Sequence, residues 1–332
     1  MIPKHIFLRK FSKTVCFSTL FLIFAGGLVT STGSGLAVPD WPLSYGTLFP
    51  PMVGGVFYEH GHRMIASTVG FLMLCLAGCL GLWEKRLWVK ILGFIALGAV
   101  IVQGILGGIT VLFFLPTPVS VAHGMLAQTF FLLTIFLAYS QSQERQTREN
   151  EKEIFFNSRF LKLNIFLIGI IYLQLLIGAV MRHTGSGLAI PDFPTMGGSF
   201  WPTFDENMVA WVNLWRFEHD LDPVTKGQIL IHFLHRLGAL VIAVTVIVLT
   251  WQGGKEFKNK IIVTRTIFLI DFLVISQIIL GVLTVVTQKS PHVTTLHVMV
   301  GAATLGAAVL LALRVSPVSF KKFKKVLNNN HV

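Results

Sequence analysis

Eight runs of about twenty apolar residues constrain this chain more than any other feature, near positions 14–30, 63–83, 88–110, 118–140, 160–181, 229–251, 261–287 and 293–314. At 1.5 Å of rise per residue, each is long enough as a helix to cross a hydrocarbon core of about 30 Å. Charged residues make up only 13% of the 332, against 53% apolar, too few to coat a soluble globule of this size. The fold class expected is therefore an all-α integral membrane protein with eight transmembrane helices. The net charge of +12 is scattered between the apolar runs rather than gathered in one patch, which argues against nucleic acid as a partner. Cys16, Cys75 and Cys79 all fall inside apolar runs, so neither a disulfide framework nor a cysteine metal site is expected.

The cations set the direction of threading. Of 27 Lys and Arg, 21 precede the first run, follow the second, fourth or sixth, or close the chain, whereas the loop from Ser31 to Gly61 has none. Cytoplasmic loops retain Lys and Arg, so both termini are expected in the cytoplasm. The first run has a basic start like a signal peptide, but the same span-plus-loop pattern recurs mid-chain, where cleavage would make no sense. A bacterial plasma membrane is the expected location.

The chain repeats itself. Thr32 to Pro42 reads TGSGLAVPDWP and Thr184 to Pro194 reads TGSGLAIPDFP, nine of eleven positions matching at an offset of 152. Gln103–His123 matches Gln277–His297 at eight of 21 positions, at an offset of 174. HRMIA at His62 matches HRLGA at His235 at an offset of 173. This predicts two tandem four-helix bundles, residues 1–150 and 151–332, in one orientation and related by a pseudo-two-fold axis along the membrane normal. The jump in offset places about 21 extra residues in the second external loop. There Phe204, Met208, Trp211, Val212, Trp215 and Phe217 alternate with polar residues, as either a short amphipathic helix or an aromatic-rich interfacial loop. In the repeated loop motif Gly33 and Gly35 permit positive φ, Pro39 and Pro42 stiffen extended segments, and Asp40 can cap the turn between them.

Four histidines stand at duplicated positions near the external ends of even-numbered spans: His62 and His123, then His235 and His297. Each pair falls at similar depth, as the two axial ligands of one haem iron must. A single intramembrane histidine is ordinarily a core side chain bonded across helices, but four at repeated positions favour ligation. Zinc or copper would usually recruit three or four donors in one place, and here each half offers two. Arg63 and Arg236 follow a candidate ligand directly and can either pair with haem propionates or snorkel to the interface. His60, His183, His219 and His292 lack aligned counterparts and read as loop residues. Glu59, three residues before His62, shares its helical face, while the aligned position in the second half is His232. A buried carboxylate is costly, so Glu59 reads either as a functional group of the first half or as an exposed residue favourable to the helix start.

Taken together, the duplicated eight-span pattern, the TGSGLAVPDWP loop, the Glu59–Arg63 run, His123, the His235–Arg236 pair and His297 resemble the haem A synthase family over nearly the whole chain. The resemblance implies an oxidoreductase that converts haem O to haem A for cytochrome oxidase, by O₂-dependent oxidation of one porphyrin methyl to an alcohol and then to a gem-diol that loses water. It implies that His235 and His297 ligate a resident haem b, that His62 and His123 bracket the substrate haem, and that Glu59 is the catalytic carboxylate. Haem O synthase, cytochrome oxidase assembly and an unidentified electron donor are the partners it implies. Many members carry a cysteine pair in the external loops; this chain has none, which excludes a loop disulfide or thiol role here. The competing expectation is a di-haem b electron carrier or quinol-oxidising subunit, which accounts for the histidines but not for Glu59 in one half only. A transporter with parallel repeats would need a polar midplane, and Asp271 is the only acidic residue well inside an apolar run.

Overall fold

The computed structural model describes residues 3–151 and 157–316. Five of the cations used to orient the chain, Lys152, Lys321, Lys322, Lys324 and Lys325, lie outside the described residues. The described chain forms α1 (Lys4–Ser31), α2 (Gly55–Trp83), α3 (Leu87–Leu112), α4 (Thr117–Ser140), α5 (Gln143–Glu151), α6 (Ser158–His183), α7 (Glu206–Phe217), α8 (Lys226–Glu256), α9 (Ile261–Val286) and α10 (Pro291–Val315). All but α5 and α7 are long and apolar enough to cross a membrane, which gives the eight spans expected. Their outward faces carry exposed Phe17, Leu82 and Phe268, an arrangement that needs hydrocarbon rather than water as solvent.

Helices outrun the apolar runs where polar residues begin them. The second run starts at 63, yet α2 starts at Gly55, so Glu59, His60 and His62 are helical. Likewise α8 begins at a capping box, Thr225 and Gln228 each bonding to the other's backbone N–H, just ahead of the apolar run. Proline in the first turn starts α4 and α10, where its missing N–H costs nothing.

Packing follows the duplication. In the first half α1 packs on α2, α2 on α3, α3 on α4 and α4 back on α1; in the second, α6, α8, α9 and α10 close the same ring. Between halves α1 meets α10, α6 meets α4, and α4 meets α10. Exchanging α1 with α6, α2 with α8, α3 with α9 and α4 with α10 leaves every one of these pairings unchanged, as a two-fold relation requires. Polar bonds stitch the seam: Arg182 Nη2 donates to Gly27 O (2.9 Å) and Ser31 Oγ (2.7 Å), and Thr129 Oγ1 lies 2.8 Å from Tyr172 Oη.

The repeated loops fold alike. Thr32 and Thr184 each bond back to the carbonyl four residues earlier and on to the serine two residues later, and Gly33 and Gly185 take φ of 68° and 69°, a turn that strongly favours glycine. Asp40 accepts from the N–H of Tyr45 (2.7 Å) and Gly46 (2.8 Å), and Asp192 from Gly197 (2.8 Å) and Gly198 (2.9 Å). The cap expected of Asp40 is thus present in both copies. Gly35 does not adopt positive φ as expected. It allows close approach instead, since a Cβ there would lie 3.3 Å from Leu115 Cδ1. The extra residues of the second loop do form a helix, α7, which buries Met208 and Val212 against Ile229 and Phe233 of α8 and leaves Trp211, Leu214 and Phe217 exposed.

Candidate functional site

The loop of each half is fastened to the even helix beneath it by one arginine and one acceptor. In the first half Arg63 Nη1 donates to Asp40 O (2.7 Å) and Leu43 O (2.8 Å), and Nη2 to Val38 O (3.3 Å). In the second, Arg236 Nη1 donates to Thr195 O (3.1 Å) and Nη2 to Ile190 O (2.9 Å), the aligned positions of Leu43 and Val38. Glu59 Oε2 accepts the Val38 N–H at 2.8 Å and Oε1 accepts from Arg63 Nη2 at 2.5 Å. His232 does both jobs in the other half, Nδ1 accepting the Ile190 N–H at 3.1 Å and Nε2 lying 3.3 Å from Arg236 Nε. The carboxylate and the imidazole are thus interchangeable as loop fasteners. Glu59 differs in charge, and it is buried, with only 4% of its surface exposed, not at an exposed helix start. A buried carboxylate is retained only where a cation and further hydrogen bonds compensate its lost hydration, as Arg63 and the Val38 N–H do here.

Below the loops the four candidate histidines share one setting. His62 lies against Gly26 of α1, His123 against Gly107 of α3, His235 against Gly178 of α6 and His297 against Gly281 of α9. A Cβ on those glycines would come within 3.0, 3.3, 3.1 and 3.4 Å of the ring Cε1 respectively. The four glycines are themselves repeats, Gly26 with Gly178 at the loop offset and Gly107 with Gly281 at the helix offset. Nδ1 of His62, His123 and His297 is buried with no hydrogen-bond partner. Gln103, Gln277 and Gln174 donate to the backbone carbonyls of His123 (2.9 Å), His297 (2.6 Å) and His235 (2.7 Å). Gln174 Nε2 also lies 3.2 Å from His235 Nδ1; its aligned residue in the first half is Leu22.

Such rings are positioned rather than bonded. The orphaned Nδ1 atoms are costly for mere core residues; the backing glycine at Cε1 limits how each ring can turn, and Nε2 is the nitrogen that would hold a metal. The rings of His235 and His297 have centroids 6.3 Å apart, close to the separation set by two metal–nitrogen bonds of about 2 Å through one ion. Among the described residues no three His, Cys, Asp or Glu gather as a metal cluster, and the histidines that come together do so in twos, as His235 and His297 show. That donor set fits a porphyrin iron, which brings its own four equatorial nitrogens.

Of the histidines read as loop residues, His60 is buried in α2 with Nδ1 2.8 Å from Ser44 Oγ, His183 ends α6 and His292 opens α10; only His219, in the turn after α7, is a loop residue. His60 is thus a further tie between α2 and the loop. Arg63 and Arg236, read as either pairing with propionates or snorkelling, instead donate to loop carbonyls, three for Arg63 and two for Arg236. Sequence reasoning passes over the four backing glycines and Trp41, whose indole covers Gly108 of α3, beside the glycine behind His123; a Cβ on Gly108 would meet Trp41 Cδ2 at 2.7 Å. The repeat offsets applied to glycine would find the first set; the second depends on the path of the loop.

Outside the spans, Asp40 is held below the ordinary aspartate range, chiefly by the Gly46 N–H, and stays charged at neutral pH. Partial burial pushes Asp192 up, but the Gly198 and Gly197 N–H bonds outweigh it and bring it below that range too.

Residues 52–310 match the family described as cytochrome oxidase assembly protein. Among individual relatives, the chain is 26% identical to a protein named heme A synthase from Lysinibacillus sphaericus (strain C3-41), over 96% of this chain and 98% of that one. It is 29% identical to one of the same name from Bacillus licheniformis, over 73% and 74%. A third, from Alkalihalophilus pseudofirmus, is 26% identical over 89% and 93%.

Proposed function

The chain belongs to the cytochrome oxidase assembly protein family, and we infer from this that it acts as a haem A synthase, a membrane oxidoreductase with haem O as substrate and haem A as product. The observation that carries the reading is the pair of glycine-backed histidine sites, one in each half, beneath loops of the same fold. A carrier with two permanent haems would need the histidines but not a charged fastener in one half alone.

In our reading His235 and His297 hold a resident haem b, and His62 and His123 hold the substrate porphyrin. When bound, haem supplies the redox chemistry, which no side chain near these sites offers on its own. The protein's part is to bind, orient and shield. Gly26 and Gly107 lie against the rings of His62 and His123, and the loop from Thr32 to Ser44 is fastened above them through Glu59, His60 and Arg63, where in our reading it shields the site from bulk water. Glu59, one helical turn before His62, is the carboxylate of the first half; Arg63 and the Val38 N–H hold it in place, and we assign it the stabilisation of positive charge developing at the methyl carbon, to the extent that its ion pair with Arg63 loosens when substrate is bound. Net oxidation of the methyl to hydroxymethyl and then to formyl removes four electrons from that carbon, with dioxygen as the oxidant. Arg63 and Arg236 reach propionates only through N–H donors that the loop carbonyls leave free.

The cation distribution supports both termini in the cytoplasm and the two loops outside, and we place the chain in a bacterial plasma membrane. Haem O synthase and cytochrome oxidase assembly are the proposed neighbours, with an electron donor still to be identified.

Haem extraction and chromatography of the purified protein test the reading: b-type haem together with O- or A-type haem is expected, and b-type alone would overturn it in favour of the carrier. Glu59→Gln and Glu59→His isolate the carboxylate, because each keeps an acceptor for the Val38 N–H while removing the charge. Both should keep b-type haem yet accumulate haem O or the hydroxymethyl species, with a rate loss of about 10²-fold or more. Near-normal haem A formation by a folded Glu59→His variant would reduce Glu59 to a loop fastener.

A further inference from the structure

At the end of the bundle opposite the loops, a crevice of about 730 Å³ opens in the seam between the halves, lined by α1, α4, the start of α5, α9 and α10. Along α1 its wall runs Arg9, Lys13, Cys16, Leu20, at i, i+4, i+7 and i+11 and hence on one helical face, with Lys10 beside them. On α10 its wall is formed by small residues, Ala303, Gly306 and Ala307, with Gly306 in close contact with Phe131 and Ile135 of α4. We propose that this crevice binds one anionic phospholipid of the bilayer, its phosphate held by Arg9, Lys10 and Lys13 and an acyl chain lying inward along Leu20, Phe131 and Leu273.

Charge complementarity selects the headgroup. Arg314, also at the mouth, is neutralised by Glu144, its Nη2 2.9 Å from the carboxylate. Arg9 donates only to the neutral Gln143 Oε1, at 3.2 Å, and Lys10 and Lys13 have no ion pair or side-chain hydrogen bond among the described residues. Three cations at the opening therefore have no anionic partner, the lining carboxylate of Glu144 being paired with Arg314. Depth selects the tail: from Lys10 to Leu20 the helix rises about 15 Å, one leaflet of a ~30 Å core. The volume falls in the range of roughly 300–1,000 Å³ typical of small-molecule sites.

The repeat does not carry the whole stripe into the second half. At the offset relating α1 to α6, Arg9 aligns with Leu161, which is buried in the core of the second half, and Lys13 with Ile165. Lys10 recurs as Lys162, but Arg9 and Lys13 have no cationic counterpart, so the full stripe stands on α1 alone.

Native mass spectrometry of the full chain in detergent, titrated with phosphatidylglycerol or phosphatidylcholine, tests this. One phosphatidylglycerol should be retained at least about 10-fold more tightly than phosphatidylcholine, and the double variant Lys10→Gln/Lys13→Gln should weaken it about 30-fold, at the known contribution of each cation near a membrane surface. Lys10→Arg/Lys13→Arg should restore binding, which separates charge from folding, and Ala303→Phe should displace both lipids by filling the crevice. Equal affinity for the two lipids, unchanged phosphatidylglycerol binding in the double Gln variant, or recovery of a quinone in place of a phospholipid would each overturn the proposal.

Discussion

Replacing Gly178 by alanine sets two effects against each other. Alanine favours a helix interior by about 1 kcal/mol over glycine, so the haem-free protein should melt at the same or a higher temperature if the His235 ring can swing aside. With Nε2 fixed on an iron the ring cannot swing. The new Cβ would lie 3.1 Å from Cε1 and 3.6 Å from Nδ1. Against an optimal carbon–carbon contact of roughly 3.5–4.0 Å, the shortfall is about 0.4 Å or more, comparable with the ~0.5 Å within which a site must hold its ligands. Overpacking of this kind costs about 1–3 kcal/mol, so haem b affinity should fall by about 5- to 150-fold. Gly281→Ala meets Cε1 of His297 at 3.4 Å and should lose far less. Spectral titration of the apoprotein with haem b, beside circular-dichroism melting of the same samples, reads both effects. Wild-type haem affinity in Gly178→Ala, or a larger loss in Gly281→Ala, would refute the view that the glycines set the ring planes.

Other expectations follow from the same geometry. His235→Ala or His297→Ala should abolish a stable b-type spectrum, while His62→Ala or His123→Ala should preserve it and stop haem A formation; equal loss from all four would contradict the division between halves. Gly108→Ala pushes a Cβ into the middle of the Trp41 ring, 2.7 Å from Cδ2, which cannot be relieved by a flexible tip. Hydrogen exchange at the Tyr45 and Gly46 amides should accelerate in that variant, and unchanged exchange would show that the loop is not seated through Trp41. Because the Asp40 carboxyl is held below its ordinary range, chiefly by the Gly46 N–H, its tie to the loop is fully present above that range and is lost only as pH falls through the lowered value. Protection of the Gly46 amide, corrected for the intrinsic pH dependence of exchange, should therefore be flat from neutral pH down to the ordinary aspartate range and collapse below it; loss between pH 6 and 5 would assign it to another group.

Residues whose role is set by local chemistry or by repetition are legible in the amino-acid order alone. Asp40 caps a turn from its own neighbours, whereas the alternation from Phe204 to Phe217 leaves helix and interfacial loop both open until the structure shows α7. His62, His123, His235 and His297 stand out because duplication marks them without reference to what surrounds them. Glu59 is legible as an asymmetry but not as a fastener, since its partners Val38 and Arg63 come together only when the loop folds back over α2. His60 reads like a loop residue because a polar start conceals the first two turns of a helix that begins at Gly55.

The sequence by itself determined the eight spans and the two-fold duplication, because burial in hydrocarbon acts on every residue of a twenty-residue run and a repeated gene segment repeats its apolar pattern. Only the tertiary structure decided that the four histidines are backed by glycines, that Arg63 and Arg236 clamp loops, and that a cation-lined crevice opens at the seam. The physical reason is range: these features depend on approaches of a few ångströms between helices far apart in the chain, and a missing Cβ acquires meaning only when another side chain occupies its place.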